Sequence, residues 1–349
     1  MTQNTEEQEN ILNLYREDDG TLMLDDWRRE ISEKIFSKGG SRPAPYAGIS
    51  TFLDAPSKDP TPENLAALQV ALIGAPMDIS VVNRSGARFG PRAVRTMERV
   101  GPHNWAHNIL PVVDMAVADI GDVPFRGRYD LLNCLEDIGI AVGQIVDAGA
   151  LPLMVGGEHG ISYPALKMVG RDEPVGMIHF DAHCDTAGPF DGVRYHHGAP
   201  FRNAVLEGYL DPKRTIQIGI RGGSSYLWEF SHKTGMTVIY ADELNNMSLN
   251  EVVEKAREVV GTGKTYLSFD VDALDPTFVP GTGTPEVGGL SPREAIGLLR
   301  GFKGINFVGG DVVEVNPNYD ATTNSAHIGA QILFEVLSLM AFSPSLKTL

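Results

Sequence analysis

The sequence predicts an α/β fold: three α/β/α layers around one central, mostly parallel sheet of eight strands. Three observations predict it. Eight short apolar runs recur along the chain, at Val70–Gly74, Met115–Asp119, Leu151–Val155, Gly176–Phe180, Ile216–Ile220, Thr237–Tyr240, Tyr266–Phe269 and Ile305–Gly309. Each run is continuously apolar rather than alternating, the pattern of a strand buried on both faces. Segments with helical spacing separate them, and strands alternating with helices imply right-handed crossovers and parallel pairing.

Residues 1–48 stand apart as an N-terminal arm, partly helical and highly charged. Leu12, Leu14, Leu22, Leu24, Trp27, Ile31 and Ile35 are scattered there among Asp, Glu and Arg. Asp25–Phe36 suits an amphipathic helix ending at Gly39-Gly40, while the first ten residues alone also suit a disordered tail. The arm is expected to pack on its own or a neighbouring subunit. Residues 49–349 form the main domain, and its helices announce their starts. Thr61-Pro62 places a cap before a first-position proline. Tyr129–Ala148 has helical apolar spacing and stops at Gly149. Ser248 with Glu251, and Ser291 with Glu294, have the spacing in which two side chains satisfy each other's orphan backbone donors. No internal repeat is visible. In such sheets ligands bind at the carboxyl ends of the strands.

Composition narrows the function. The net charge of −16 over 349 residues excludes nucleic acid as a natural partner, because phosphate binding needs clustered Lys and Arg. The same charge would attract a small cation. Cys134 and Cys184 are too few and too scattered for a disulfide framework. Neither a signal peptide nor an apolar stretch long enough to span a membrane is present, so the expected compartment is the cytoplasm, with no membrane partner.

Polar residues gather where the strands end. Leu151–Val155 runs into Gly156-Gly157-Glu158-His159, Gly176–Phe180 into Asp181-Ala182-His183-Cys184-Asp185, Tyr266–Phe269 into Asp270-Val271-Asp272, and Ile305–Gly309 into Asp311 and Glu314. His159, Asp181, His183, Asp185, Asp270 and Asp272 thus converge on one sheet edge. Four carboxylates together cannot all stay ionised without compensation, and two divalent cations supply it. A mixed imidazole and carboxylate set suits Mn, Fe, Co, Ni or Zn better than Ca or Mg. If strand geometry persists past the strand ends, alternation turns the acids of each pair to one side.

These blocks resemble the metal-binding segments of the ureohydrolases, the arginase and agmatinase family. The likeness is carried by Gly157-Glu158-His159, by Asp181–Asp185 and by Ser268–Pro276, with support from Pro45–Phe52, Asn83–Pro91 and Gly310–Pro317 followed by Tyr319-Asp320. It runs from about Pro45 to the C-terminus, lies on the agmatinase-like branch and implies an arginase-like fold. It further implies that Asp181 and Asp270 bridge two metals, manganese by default with nickel as the alternative. His159 and Asp185 complete one metal and His183 and Asp272 the other. A hydroxide held between the metals is then the nucleophile on a guanidinium carbon, and Asp185 carries the proton to the leaving nitrogen. His197, in Tyr195–Arg202, lies beside the substrate as a proton relay, and Glu314 pairs with the guanidinium.

Departures from the family pattern bear on substrate rather than ligands. Glu158 stands where Asp is commoner, Gly160 where Ser or Thr is common, Cys184 between two ligands, and Ala199 in place of a frequent hydroxyl residue. The stretch Thr186–His196 lacks the Asn- and Ser-containing pattern that arginases use to hold an α-carboxylate, so arginine is disfavoured. The segment Tyr195–Pro212 is closer to guanidinobutyrase and guanidinopropionase, and Tyr226, Trp228 and Phe230 offer aromatic faces to a compact cation. Guanidine, a metformin-like biguanide, 4-guanidinobutyrate and agmatine all stay open as the small cationic guanidino substrate. The products would be an amine or ammonia and urea or a urea derivative. A formiminoglutamase-like hydrolase with Arg194 as a carboxylate anchor is the alternative enzyme. The family implies a homo-trimer or homo-hexamer. A hetero-oligomer with a related subunit is the other possibility, although a degenerate subunit would lack ligands that this chain retains.

Overall fold

A computed structural model describes residues 2–16, 30, 31, 34, 47–98, 100–222 and 225–349. These fall into two compact units, Met1–Gly48 and Ile49–Leu349. In the first unit, helix α1 spans Thr2–Arg16 and so takes in the residues that also suited a disordered tail. The expected helix Asp25–Phe36 lies outside the described residues except for helical Glu30, Ile31 and Lys34.

The second unit is built on β1 (Val70–Ala75), β2 (Val117–Asp122), β3 (Leu151–Gly156), β4 (Val175–Phe180), β5 (Leu210–Ile220), β6 (Thr237–Tyr240), β7 (Thr265–Asp270) and β8 (Phe307–Val313). They form a single eight-stranded sheet in the order β2-β1-β3-β8-β7-β4-β5-β6. Every strand pairing is parallel. Sequence placed β8 at Ile305–Gly309, ahead of Asp311. The strand instead runs through Asp311, because a carboxylate surrounded by hydroxyl donors can sit inside a sheet. β2 likewise begins at Val117 rather than Met115, and β5 already at Leu210.

Helices cover both faces. Helices α2 (Leu131–Asp147), α3 (Ser162–Val169) and α4 (Pro200–Leu206) pack one face through Ile138, Leu166 and Phe201, against Ile73, Met154 and Met177. Helices α5 (Leu249–Val260), α6 (Pro292–Gly301) and α7 (Asn324–Met340) pack the other through Val252, Leu298 and Leu333, against Leu153, Ile178 and Phe269. Consecutive strand residues therefore feed opposite cores, which is why the runs are continuously apolar. The starts follow the sequence signals. Asp130 caps α2, while Ser248 with Glu251 and Ser291 with Glu294 form reciprocal capping boxes. Among the described residues no helix is long and apolar enough to cross a membrane.

The strand order places β3, β8, β7 and β4 side by side. These are the strands whose carboxyl ends carry His159, Glu314, Asp270 and Asp181, so four separate chain segments deliver their polar residues to one spot.

Leu333 on α7 is fully buried, and Leu333→Ala is expected to cost about 2–5 kcal/mol in urea unfolding through the cavity left behind. Ser291→Ala, which removes only a cap, is expected to cost about 1 kcal/mol in the same assay.

Candidate metal centre

Strand alternation does not continue past the strand ends. A tighter device does the same work. Asp181 Oδ1 accepts the backbone N–H of His183 at 2.6 Å, and Asp270 Oδ1 accepts that of Asp272 at 2.8 Å. Each acid thus bends its own chain two residues on, as Asp does in an Asx turn. Asp185 then takes a left-handed conformation, with φ of 50°. The result gathers side chains that a straight strand would have spread over many ångströms.

His159 Nδ1 lies 3.0 Å from Asp181 Oδ2, 3.0 Å from Asp185 Oδ2 and 3.2 Å from Asp270 Oδ2. His183 Nδ1 lies 3.3 Å from Asp181 Oδ1 and 3.2 Å from Asp272 Oδ2. Asp181 therefore divides its two oxygens between two ligand sets that meet at it. The set fits cations better than it fits hydrogen bonding. His159 Nδ1 is buried, with three carboxylate oxygens nearby and none aligned as a hydrogen-bond partner. Seven nitrogen and oxygen atoms from six side chains facing one another in this way is the arrangement of a coordination site.

Electrostatics says the same. Burial, and then the neighbouring Asp272 and Asp181, push the Asp270 carboxyl well above the usual carboxylate range. Burial and Asp181 push Asp272 up to about 6. Burial opposes charge on both imidazoles, yet the surrounding acids raise His159 and His183 well above the ordinary histidine value. A cluster that drives up the pKa of an acid and of both imidazoles is one that favours added positive charge, whether protons or divalent cations.

Outer contacts orient the ligands. His159 Nε2 meets Ser268 Oγ at 2.8 Å, and Ser268 donates to Asp311 Oδ1 at 2.6 Å. Asp311 Oδ2 accepts from Ser162 and Tyr266 at 2.6 and 2.7 Å. His179, on β4, donates from Nε2 to Asp181 Oδ2 at 2.8 Å. Its Nδ1 accepts from Gln217, which sets that tautomer. Sequence reading passed over His179, Ser268 and the role of Asp311. The signals were their place inside or just before the motif blocks and a buried, polar strand position. Glu158 does not touch the ligands. It is fully buried, pushed up to about 7 by burial, and holds the Ser80 amide at 2.8 Å. A Cβ at Gly160 would lie 3.1 Å from Glu158 Oε1, so the longer acid and the missing side chain are a matched pair.

Glu314 sits at the end of β8 with φ of 62°, its carboxylate accepting the His159 backbone N–H at 3.0 Å and contacting His197 Nδ1 at 3.1 Å. Its other oxygen, Oε2, is buried without a partner. His197 receives the Val82 amide at Nε2, 3.1 Å away, which favours the ring with its proton on Nδ1. Burial lowers the His197 pKa, and Glu314, Asp185 and Glu158 raise it to about 9; the Val82 N–H facing Nε2 opposes that charge, and the neutral ring is the form the geometry supports. His196 donates from Nε2 to the Gly188 carbonyl at 2.9 Å. Cys184 is buried, its thiol pushed up to about 12 by burial.

Above the ligands opens a cleft of about 480 Å³, lined in part by Asp185, His197, Phe190, Tyr226, Trp228 and Glu286. Tyr226 is exposed on its rim. Trp228 is anchored, with its indole N–H on the Gly222 carbonyl and its ring against Tyr240. Phe230 lies outside the lining, under Arg202. Arg194, the conceivable carboxylate anchor, is engaged with Asn203 and Glu207 and does not reach the cleft.

An Arginase family model matches residues 68–338. The chain is 46% identical over 304 residues to a guanidinopropionase of Pseudomonas aeruginosa, covering 85% of this chain and 93% of that protein. It is 43% identical over 294 residues to the mitochondrial guanidino acid hydrolase of Homo sapiens, covering 83% and 82%. Among solved structures, proclavaminate amidino hydrolase from Streptomyces clavuligerus superposes with a TM-score of 0.82 at 34% identity, covering 86% of this chain and all of that one. Fold, site and relatives together make this chain a member of the arginase family, the ureohydrolases that hydrolyse C–N bonds in linear amidines.

Removing divalent metal with a chelator is expected to lower the melting temperature, and adding metal back to restore it, because bound cations stabilise the folded state by mass action. Asp311→Asn, which breaks the link through Ser268 to His159, is expected to weaken metal retention roughly ten- to a hundredfold in equilibrium dialysis with elemental analysis, with the circular dichroism spectrum unchanged.

Proposed function

We propose that this enzyme hydrolyses a C–N bond of a small guanidino compound: free guanidine, a metformin-like biguanide, agmatine or 4-guanidinobutyrate. The observation that carries the reading is Glu314. A centre built only to hold metal needs neither this buried acid, with one oxygen lacking a partner, nor His197 fixed against it. A carboxylate with a spare oxygen is the complement of a planar cation with paired N–H groups.

In this reading Asp181, Asp270, His159, Asp185, His183 and Asp272 would hold the two cations. When bound, such a pair supplies Lewis acidity and lowers the pKa of water towards neutrality. The chain's own residues do the rest. Glu314 Oε2 takes the guanidinium N–H groups and turns the central carbon towards the ligand cluster. Asp185, at the floor of the cleft, accepts the proton lost by the attacking water and returns it to the nitrogen that leaves. The C–O bond forms, the C–N bond breaks and the proton ends on the departing amine or ammonia, leaving urea or a urea derivative. His197, flanked by Glu314 and the Val82 amide, positions the acid and borders the substrate. The aromatic rings of Trp228 and Tyr226 cover the outer cleft and favour a delocalised cation.

The test is a mass-spectrometric product screen of manganese- and nickel-loaded protein with guanidine, metformin, agmatine, 4-guanidinobutyrate and arginine. Turnover of at least one of the first four is expected, lost in Asp181→Ala and reduced about a hundredfold or more in Glu314→Gln. Mass balance is preferable to a urea assay, since a biguanide releases an amine and guanylurea. Two metals bound per chain with no compound consumed would refute the reading.

A further inference from the structure

After β1 the chain runs through residues 76–86 outside any helix or strand. Val82 and Asn83 of this segment wall the cleft. The segment has one backbone group to deliver. Its Val82 N–H meets His197 Nε2 at 3.1 Å, and the His197 N–H returns to the Ser80 carbonyl at 3.5 Å. A ring that accepts at Nε2 carries its proton on Nδ1, which faces Glu314 Oε1 at 3.1 Å. Glu314 Oε2 is the oxygen that stays without a partner.

Separate contacts fix the segment. Near its ends, Asp78 Oδ2 accepts the Gly86 N–H at 2.6 Å, and Asn316 donates to the carbonyls of Arg84 and Ser85 at 3.2 and 3.1 Å. Its middle is gripped by Glu158, whose Oε2 accepts the Ser80 N–H at 2.8 Å and whose Oε1 pairs with Ser80 Oγ. The Val82 side chain is 59% exposed, so packing does little to hold the amide that faces His197. Glu158 is fully buried one residue before His159, and reaches the loop instead of the ligand cluster.

Reach is what this contact demands. Aspartate, a carbon shorter, would stop short of Ser80. Glutamine has the same length, and the Ser80 hydroxyl can turn to accept from its amide. A Cβ at Gly160 would lie 3.1 Å from Glu158 Oε1 and 3.6 Å from His197 Cα, so a side chain there would crowd the acid where it grips the loop.

We propose that Glu158 is a positioning residue for Glu314. By gripping Ser80 it holds the Val82 N–H against His197, which keeps the His197 proton between Nδ1 and Glu314 Oε1 and leaves Glu314 Oε2 for the guanidinium. It acts by its length and not by its charge. The proposal rests on the guanidino-hydrolase reading and adds to it a residue that touches neither metal nor substrate.

The experiment sets length against charge. Metal-loaded enzyme and variants are offered guanidine, metformin, agmatine and 4-guanidinobutyrate separately, and kcat and KM are taken on the compound consumed. Hydrogen exchange of residues 79–84, read by mass spectrometry, follows the loop without turnover, and elemental analysis follows the metals. Glu158→Asp, which keeps the charge, is expected to raise KM about tenfold with kcat changed less than about threefold, and to speed loop exchange about tenfold, with both metals retained. Glu158→Gln, which keeps the length, is expected to stay within about twofold of the unaltered enzyme in KM and in exchange. Gly160→Ala is expected to resemble Glu158→Asp, and to add less than about twofold when combined with it, because both act on one contact. Loop exchange or KM unmoved in Glu158→Asp overturns the proposal, and so does Glu158→Gln proving as damaging as Glu158→Asp. Either result leaves the hydrolase reading intact. If the unaltered enzyme consumes none of the compounds, the hydrolase reading falls. Exchange alone then decides whether Glu158 holds the loop: faster in Glu158→Asp than in Glu158→Gln supports it, and equal rates overturn it.

Discussion

Mutual repulsion among four carboxylates, three of them buried and the fourth half-buried, is the constraint on which the rest of this structure depends. Asp181, Asp185, Asp270 and Asp272 come together within reach of two imidazoles, in a pocket almost without solvent. No arrangement of protein hydrogen bonds neutralises that much charge, and burial makes each uncompensated charge dear. The family is binuclear-metal dependent, and this chain carries the donors such a pair requires. Folding alone leaves the ligand cluster electrostatically unfinished.

Holding the ligands against that repulsion takes a rigid frame. The parallel sheet supplies it, since β3, β8, β7 and β4 are neighbours and their carboxyl ends share one edge. Fine aim comes from hydrogen bonds below and beside the site. Asp311 organises Ser162, Tyr266 and Ser268, and Ser268 meets His159. Gln217 sets the His179 tautomer, and His179 steadies Asp181. Asp185 and Glu314 both hold left-handed backbone angles, which cost free energy and persist because surrounding contacts leave no alternative. Backbone bonds from Phe201 to the Asp185 carbonyl and from Glu314 to the Gly157 carbonyl are part of that enforcement.

The cleft belongs to another layer of the molecule. The candidate ligand cluster sits at the carboxyl ends of the strands. The cleft above it is built from connecting segments: the turn after Asp185, the 3-10 turn that holds Tyr226–Trp228, and the stretch Thr284–Glu286. Loops tolerate change without disturbing the sheet, so relatives over 40% identical can keep one fold and carry different substrate names.

Much of this was legible in the sequence because its physical causes are local. Continuous apolar runs report burial on both faces, capping pairs report helix starts, and acids or imidazoles directly after a strand report the functional edge. His159, Asp181, His183, Asp185, Asp270 and Asp272 could be named together on that ground. The extent of β8 could not, because Asp311 looks like a strand breaker until Ser162, Tyr266 and Ser268 are brought to it from three other places in the chain. The outward alternation expected of Asp181–Asp185 is replaced by a turn that the first acid makes with its own backbone. The pairings of Glu158 with Gly160 and of Glu286 with Gly222 were equally hidden, being statements about shared space. The sequence by itself determined which acids and imidazoles gather and at which end of the sheet, because those follow from residue type and periodicity. Only the tertiary structure decided which groups share a carboxylate and which acid stands beside His183, because those depend on distances between segments far apart in the chain.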